Sequence, residues 1–185
     1  AKDKSKLDVN SAPVVSIPSK ITVEDESGNK VQYNVVAAYF QETKTFNSTV
    51  LKKIIVQEGI GYIRGFNSDS GASTIESIEL PSTLRIIQNC FNNITGLTEN
   101  TVVIPSGVEA IYDSFWNKCN GDYNGTNPYT GEAYSFDINI PDSVRSLSIV
   151  PMNFKFSSNS TFVNDGTMIY QNTNKGKVLV SYNTI

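Results

Sequence analysis

The sequence predicts a solenoid of stacked repeats, mixed β/α or mostly β, with about four units and a β-hairpin near each end. Three observations predict it. A proline-anchored apolar pattern recurs through the middle of the chain, its anchors at positions 57, 81 and 105 are evenly spaced, and two alternating segments with Asn, Asp or Gly turns lie toward the ends. Self-similarity at a fixed period marks a fold in which one unit cannot bury its apolar face alone and must stack on the next.

The anchors are Pro81, Pro105 and Pro141, with Gln57 in the same slot one unit earlier. Apolar residues stand one and three positions before each: Ile54 and Val56, Ile78 and Leu80, Val102 and Ile104, Ile138 and Ile140. Others stand three and six positions after: Ile60 and Ile63, Leu84 and Ile87, Val108 and Ile111, Val144 and Leu147. The step from Gln57 to Pro81 equals the step from Pro81 to Pro105. The step from Pro105 to Pro141 is half as long again, one period plus an insertion of half a period. An aromatic closes most units (Phe66, Phe91, Phe115), and Pro18 is a degenerate earlier anchor with Phe40 as its late aromatic. Pro151 stands where the last unit wants an aromatic.

Each part of the pattern has a physical reading. The apolar-x-apolar step has period two and predicts a short strand with one face inward. Proline has no N–H for the ladder, so pairing stops there. The polar pairs that follow, Ser82-Thr83, Ser106-Gly107 and Asp142-Ser143, suit a turn, and the later apolar pair returns to the core. Residues 21–36 alternate around Ser27-Gly28-Asn29, and residues 161–182 alternate around Asn164-Asp165-Gly166 and Lys175-Gly176. Such turns supply the positive φ of tight hairpins, which cap the open ends of an array.

Composition narrows the function. The chain has 185 residues, 39% hydrophobic and 18% charged, which suits one folded domain over residues 13–185 behind a polar, lysine-rich leader at 1–12. No apolar run approaches the roughly 20 residues of a membrane-spanning helix. A net charge of −3 and a pI near 5.0 argue against nucleic acid. Histidine is absent, which removes the commonest general base, the commonest metal ligand and the usual nucleophile triads. Dinucleotide and phosphate-loop motifs are absent too, so neither a cofactor nor catalysis is expected. Glu76, Glu79 and Glu109 fall among the apolar repeat positions, where solvated side chains belong.

Two runs carry a family resemblance. One is Ile75-x-x-Ile78-x-Leu80-Pro81-Ser82-x-Leu84-x-x-Ile87-x-x-Cys90-Phe91; the other is Val103-Ile104-Pro105-Ser106-Gly107-Val108-x-x-Ile111-x-x-x-Phe115-x-x-x-Cys119. They resemble the BspA-type leucine-rich repeats of bacterial surface proteins, and the likeness extends over roughly residues 14–170. It implies an irregular leucine-rich repeat array, with strands on one side and irregular or short helical turns on the other. It also implies an exported protein, extracellular or at the bacterial surface, that adheres to host matrix proteins, other bacteria or glycans. A different class of role is a structural spacer in a larger surface protein with no ligand of its own.

Candidate contact residues come from two places. The mid-strand positions Ile55, Glu79, Val103 and Asn139 should share one outward face, and two of them are apolar. The insertion 120–135 carries Tyr123, Tyr129 and Tyr134 among Asn, Ser and Gly, beside Trp116, a composition of adaptable binding loops or simply of a surface excursion. Within it Asn120, Asp122 and Asn124 precede Gly125 like the start of a calcium loop, but position 12 is Gly131 and the acid Glu132 comes one place late. Cys90 and Cys119 suit small buried positions.

Overall fold

A computed structural model of the protein describes residues 13–40, 50–67, 75–94, 96–116, 136–148 and 150–182. The leader at 1–12, Cys119 and the whole insertion 120–135 lie outside the described residues. Among the described residues every regular element is a strand. They are β1 (Val14–Ile17), β2 (Lys20–Glu24), β3 (Lys30–Asn34), β4 (Ala37–Tyr39), β5 (Lys53–Val56), β6 (Tyr62–Arg64), β7 (Ser77–Glu79) and β8 (Ile86–Gln88). Then follow β9 (Ala110–Tyr112), β10 (Ile138–Ile140), β11 (Ser146–Ser148), β12 (Phe154–Phe156), β13 (Phe162–Asn164), β14 (Met168–Thr173) and β15 (Gly176–Tyr182).

The repeat pattern becomes two kinds of parallel sheet. Strands before the anchors pair as β1-β5-β7, and β10, before Pro141, pairs with the later β12; strands after the anchors form one five-stranded parallel sheet, β4-β6-β8-β9-β11. The irregular or helical side implied by the family resemblance is therefore strand in this chain. Its rungs decide this: Ile63 faces Ile87 and Ile87 faces Ile111, each partner one period on. Between the strands the anchor opens a β-turn, with Leu84 N–H donating to Pro81 O at 3.1 Å and Val108 N–H to Pro105 O at 3.0 Å. The expected turn pairs thus lie where the sequence puts them.

Inward positions line up by register. Val15, Ile54 and Ile78 form one buried column, and Ala38, Ile63, Ile87, Ile111 and Leu147 form another. In the same core runs a spine of phenylalanines. Phe40, Phe66, Phe91, Phe115 and Phe154 touch in sequence, at centroid separations of 4.3, 6.4, 5.1 and 5.8 Å. Phe154 supplies the aromatic that Pro151 cannot, and Phe156 and Phe162 extend the spine toward the C-terminal end.

Polar side chains tie unit to unit. Asn67 Oδ1 accepts the Asn92 N–H at 3.0 Å, and Asn92 Oδ1 accepts the Trp116 N–H at 2.8 Å. These asparagines follow the spine aromatics and satisfy backbone donors that bend away from the ladders. Gln57, in the anchor slot, accepts the Ser19 N–H and donates to Ser16 Oγ, both at 3.1 Å, which binds the first unit to the second. Lys52–Glu76 and Arg85–Glu109 ion pairs also join positions one period apart, but they are exposed and contribute little.

Glu58 closes the next unit's turn. Its carboxylate accepts the N–H groups of Ser82 (2.8 Å) and Thr83 (3.3 Å) and the Ser82 hydroxyl (3.1 Å). These bonds, the Ser82 N–H foremost, hold the carboxyl below its ordinary value of 4.5. A depressed folded-state value means the stabilisation is present above the unfolded value and is lost as pH falls through the folded one. We expect Glu58→Gln to flatten the loss of melting temperature below about pH 4.5 relative to the parent chain. Identical acid slopes for the two proteins would show that these bonds do not matter to folding.

Both end hairpins form. β2 and β3 pair antiparallel in full register, with Asp25 Oδ1 accepting the Ser27 and Asn29 N–H groups at 2.9 and 2.8 Å around Gly28, at φ +82°. This hairpin is inserted within the first unit, between the Pro18 anchor and β4. At the other end β13-β14-β15 make an antiparallel sheet that buries Phe162 and Ile169 against the core. Ser181 Oγ donates to Val150 O at 2.8 Å, fixing the sheet over the last unit.

Candidate binding faces

The pre-anchor strands carry the face read from sequence. Ile55 pairs with Ser16 on one side and Glu79 on the other, so the three share an outward row. Glu79 forms an ion pair with Lys53. The strand expected through Val102, Val103 and Ile104 does not form, and the sheet ends at β7. The cause lies just upstream. In the preceding unit the Glu76 N–H opens the ladder by donating to Lys52 O at 2.8 Å. Its counterpart one period on, Asn100, sits inside a turn closed by Thr101 N–H to Thr98 O at 3.0 Å, so no ladder begins there.

The break leaves two open depressions that share Val103, which is 69% exposed. One, of about 630 Å³, is bordered by Lys53, Ser77, Glu79, Thr101 and Val103. The other, of about 250 Å³, lies between Val103, Glu99, Asn139 and Pro141. Ile55, Glu79, Val103 and Asn139 therefore do come to one side of the molecule, in an interrupted row with shallow relief.

Trp116 has a backbone duty. Its N–H ends the asparagine ladder and its carbonyl accepts the Asn93 N–H at 2.7 Å, while the residue as a whole is half-buried. Tyr123, Tyr129 and Tyr134, with the calcium candidates Asn120, Asp122 and Asn124, lie outside the described residues. Among the described residues no three His, Cys, Asp or Glu side chains converge as a metal would need.

Cys90 is a free, fully buried thiol that donates to Gln88 O at 3.1 Å. Burial pushes it up to about 12, so it stays protonated and unreactive. Its equivalent one unit on is Ser114, whose hydroxyl accepts the Cys90 N–H at 3.1 Å.

A second outward row was not anticipated from sequence. On the five-stranded sheet the positions flanking the buried column include Tyr39, Tyr62, Arg64, Gln88 and Tyr112, with Ser146 and Ser148 at the far strand. Tyr39 and Tyr62 meet edge to face at 5.1 Å between ring centroids. Tyr62 donates its hydroxyl to Gln88 Oε1, and Tyr112 donates to Ser146 Oγ at 3.0 Å. Burial, and after it Tyr39, hold the Tyr62 phenol above its ordinary value, so it remains a donor. The signal was present at the fifth and seventh positions after the anchors, where Tyr62, Arg64, Gln88 and Tyr112 stand.

Comparisons with protein-family models, curated proteins and solved structures give no match for this chain. No helix among the described residues is long and apolar enough to cross a membrane.

Proposed function

We propose that the chain is a solenoid of irregular leucine-rich repeats, similar to the BspA type, and a non-catalytic adhesion module of an exported bacterial protein. It recognises a protein or glycan at the cell surface. One observation carries this reading: the outward rows of its parallel sheets are held in register by an independent core. Side chains there can be varied for a partner without disturbing the fold. The buried columns and the phenylalanine spine supply stability, and the outward residues lie outside that core.

The test is binding of the purified chain to immobilised matrix proteins and glycans, with and without calcium. Saturable binding is the expected result. Loss on chelation would assign a role to Asn120, Asp122 and Asn124, and weakening by Tyr123→Ala or Tyr129→Ala would place contact in the insertion. Silence across the array, from a chain shown to be folded by circular dichroism, would favour the spacer role instead.

A further inference from the structure

The outward row of the five-stranded sheet carries chemistry that the core does not need. Around the buried column Ala38, Ile63, Ile87, Ile111 and Leu147, it holds three phenols, one carboxamide, two serine hydroxyls and one formal charge, Arg64. Apart from Ile86 the row holds no large aliphatic side chain.

We propose that this row is a glycan-binding face, with a saccharide chain lying across the strands. The proposal rests on the binding-module reading and names the ligand class. Protein interfaces centre on apolar or aromatic anchors that become fully desolvated, whereas the rings here are polar-tipped phenols, Tyr39 exposed and Tyr62 and Tyr112 half-buried, in a row of hydroxyls and amide. A saccharide offers C–H faces to phenol rings and hydroxyls to amides, guanidinium and serines, which is the inventory present. Strands in a sheet lie about 4.8 Å apart, so four intervals span roughly 19 Å, enough for several sugar rings.

The row is also set in place before any ligand arrives. Tyr39 rests against Tyr62, Tyr62 bonds to Gln88, and Tyr112 bonds to Ser146. Side chains already ordered cost less to immobilise on binding. Tyr39, at 62% exposure, presents the most accessible ring.

Calorimetric titration of the full chain with cellohexaose, chitohexaose and a hyaluronan oligosaccharide tests this. The expected result is saturable binding of at least one of them, weakened about tenfold or more by Tyr39→Ala and by Tyr112→Ala, with Tyr39→Phe close to the parent. The neutral and uronate-bearing probes distinguish a ring-and-hydroxyl site from one that uses Arg64 for a carboxylate; either supports the face. Circular dichroism and melting confirm that the variants fold, and Tyr39, exposed at an outer strand, is the safer of the two. Binding untouched by Tyr39→Ala in a folded protein would overturn the proposal, as would silence toward all three probes. If matrix proteins bind while glycans do not, the adhesion reading stands and the glycan face falls.

Discussion

Phe91→Ala is expected to cost about 3–5 kcal/mol of folding stability, the range for emptying a large aromatic site in a packed core. Phe91 is 1% exposed and sits between Phe66 and Phe115, at centroid distances of 6.4 and 5.1 Å. Its loss breaks the spine on both sides, and in a stacked array each unit depends on its neighbours. Backbone strain does not enter the difference. Phe91 has φ +62°, a left-handed conformation that alanine would occupy at a similar penalty. Phe40, at the first unit, touches Phe66 at 4.3 Å and is half-buried, so Phe40→Ala should cost less. Urea unfolding followed by far-ultraviolet dichroism gives both values. A Phe91→Ala loss below about 1 kcal/mol, or one no larger than that of Phe40→Ala, would mean that the rings are neighbours without sharing a core.

Much of this fold was legible because its rules are local. The anchor, the turn pair and the period-two strand occupy a short consecutive run, so Pro81, Leu84 and Ile87 could be read against Pro105, Val108 and Ile111 directly. The hairpins at 21–36 and 161–182 were legible for the same reason. The strand after the turn was harder. Leu84 and Ile87 are three apart, which fits a helical turn as well as a strand, and only pairing of Ile86–Gln88 with its neighbours decides. The break after β7 was hidden because Val102 and Ile104 keep the apolar pattern while the turn at Thr98–Thr101 removes the ladder. A fixed offset also missed Phe154, which enters the spine just beyond Pro151.

The candidate sites divide in the same way. The insertion drew notice because its tyrosines are close in sequence. Tyr39, Tyr62 and Tyr112 belong to three different units, and parallel register alone brings them to one face. Cys90 suits a small buried position by sequence, and its structural counterpart is Ser114, a residue of different type one period on.

Gly65 gives the second large effect. Residues 65, 89 and 113 recur at the period and all have positive φ: Gly65 at +79°, Asn89 and Asp113 at +48°. The last two show that a side chain can live in this conformation, so handedness alone does not demand glycine at 65. Space does. A Cβ on Gly65 would lie 2.1 Å from the Phe40 carbonyl oxygen, a backbone atom that cannot swing aside like a side chain end. The Phe40 N–H is itself bonded to Arg64 O at 2.9 Å, which ties the two strands together at that point. Gly65→Ala should therefore cost about 2–5 kcal/mol, a conformational part of roughly 1–2 kcal/mol plus the displacement of the first unit. Gly166 is the control: it has φ +92° and nothing within 4 Å of an added Cβ, so Gly166→Ala should show the conformational part alone. Asparagine tolerates left-handed backbone, as Asn89 does, but brings the same Cβ. Gly65→Asn should then be about as damaging as Gly65→Ala in thermal and urea unfolding. Recovery of most of the lost stability by asparagine would show that conformation, and not the approach of the Phe40 carbonyl, fixes glycine at this position.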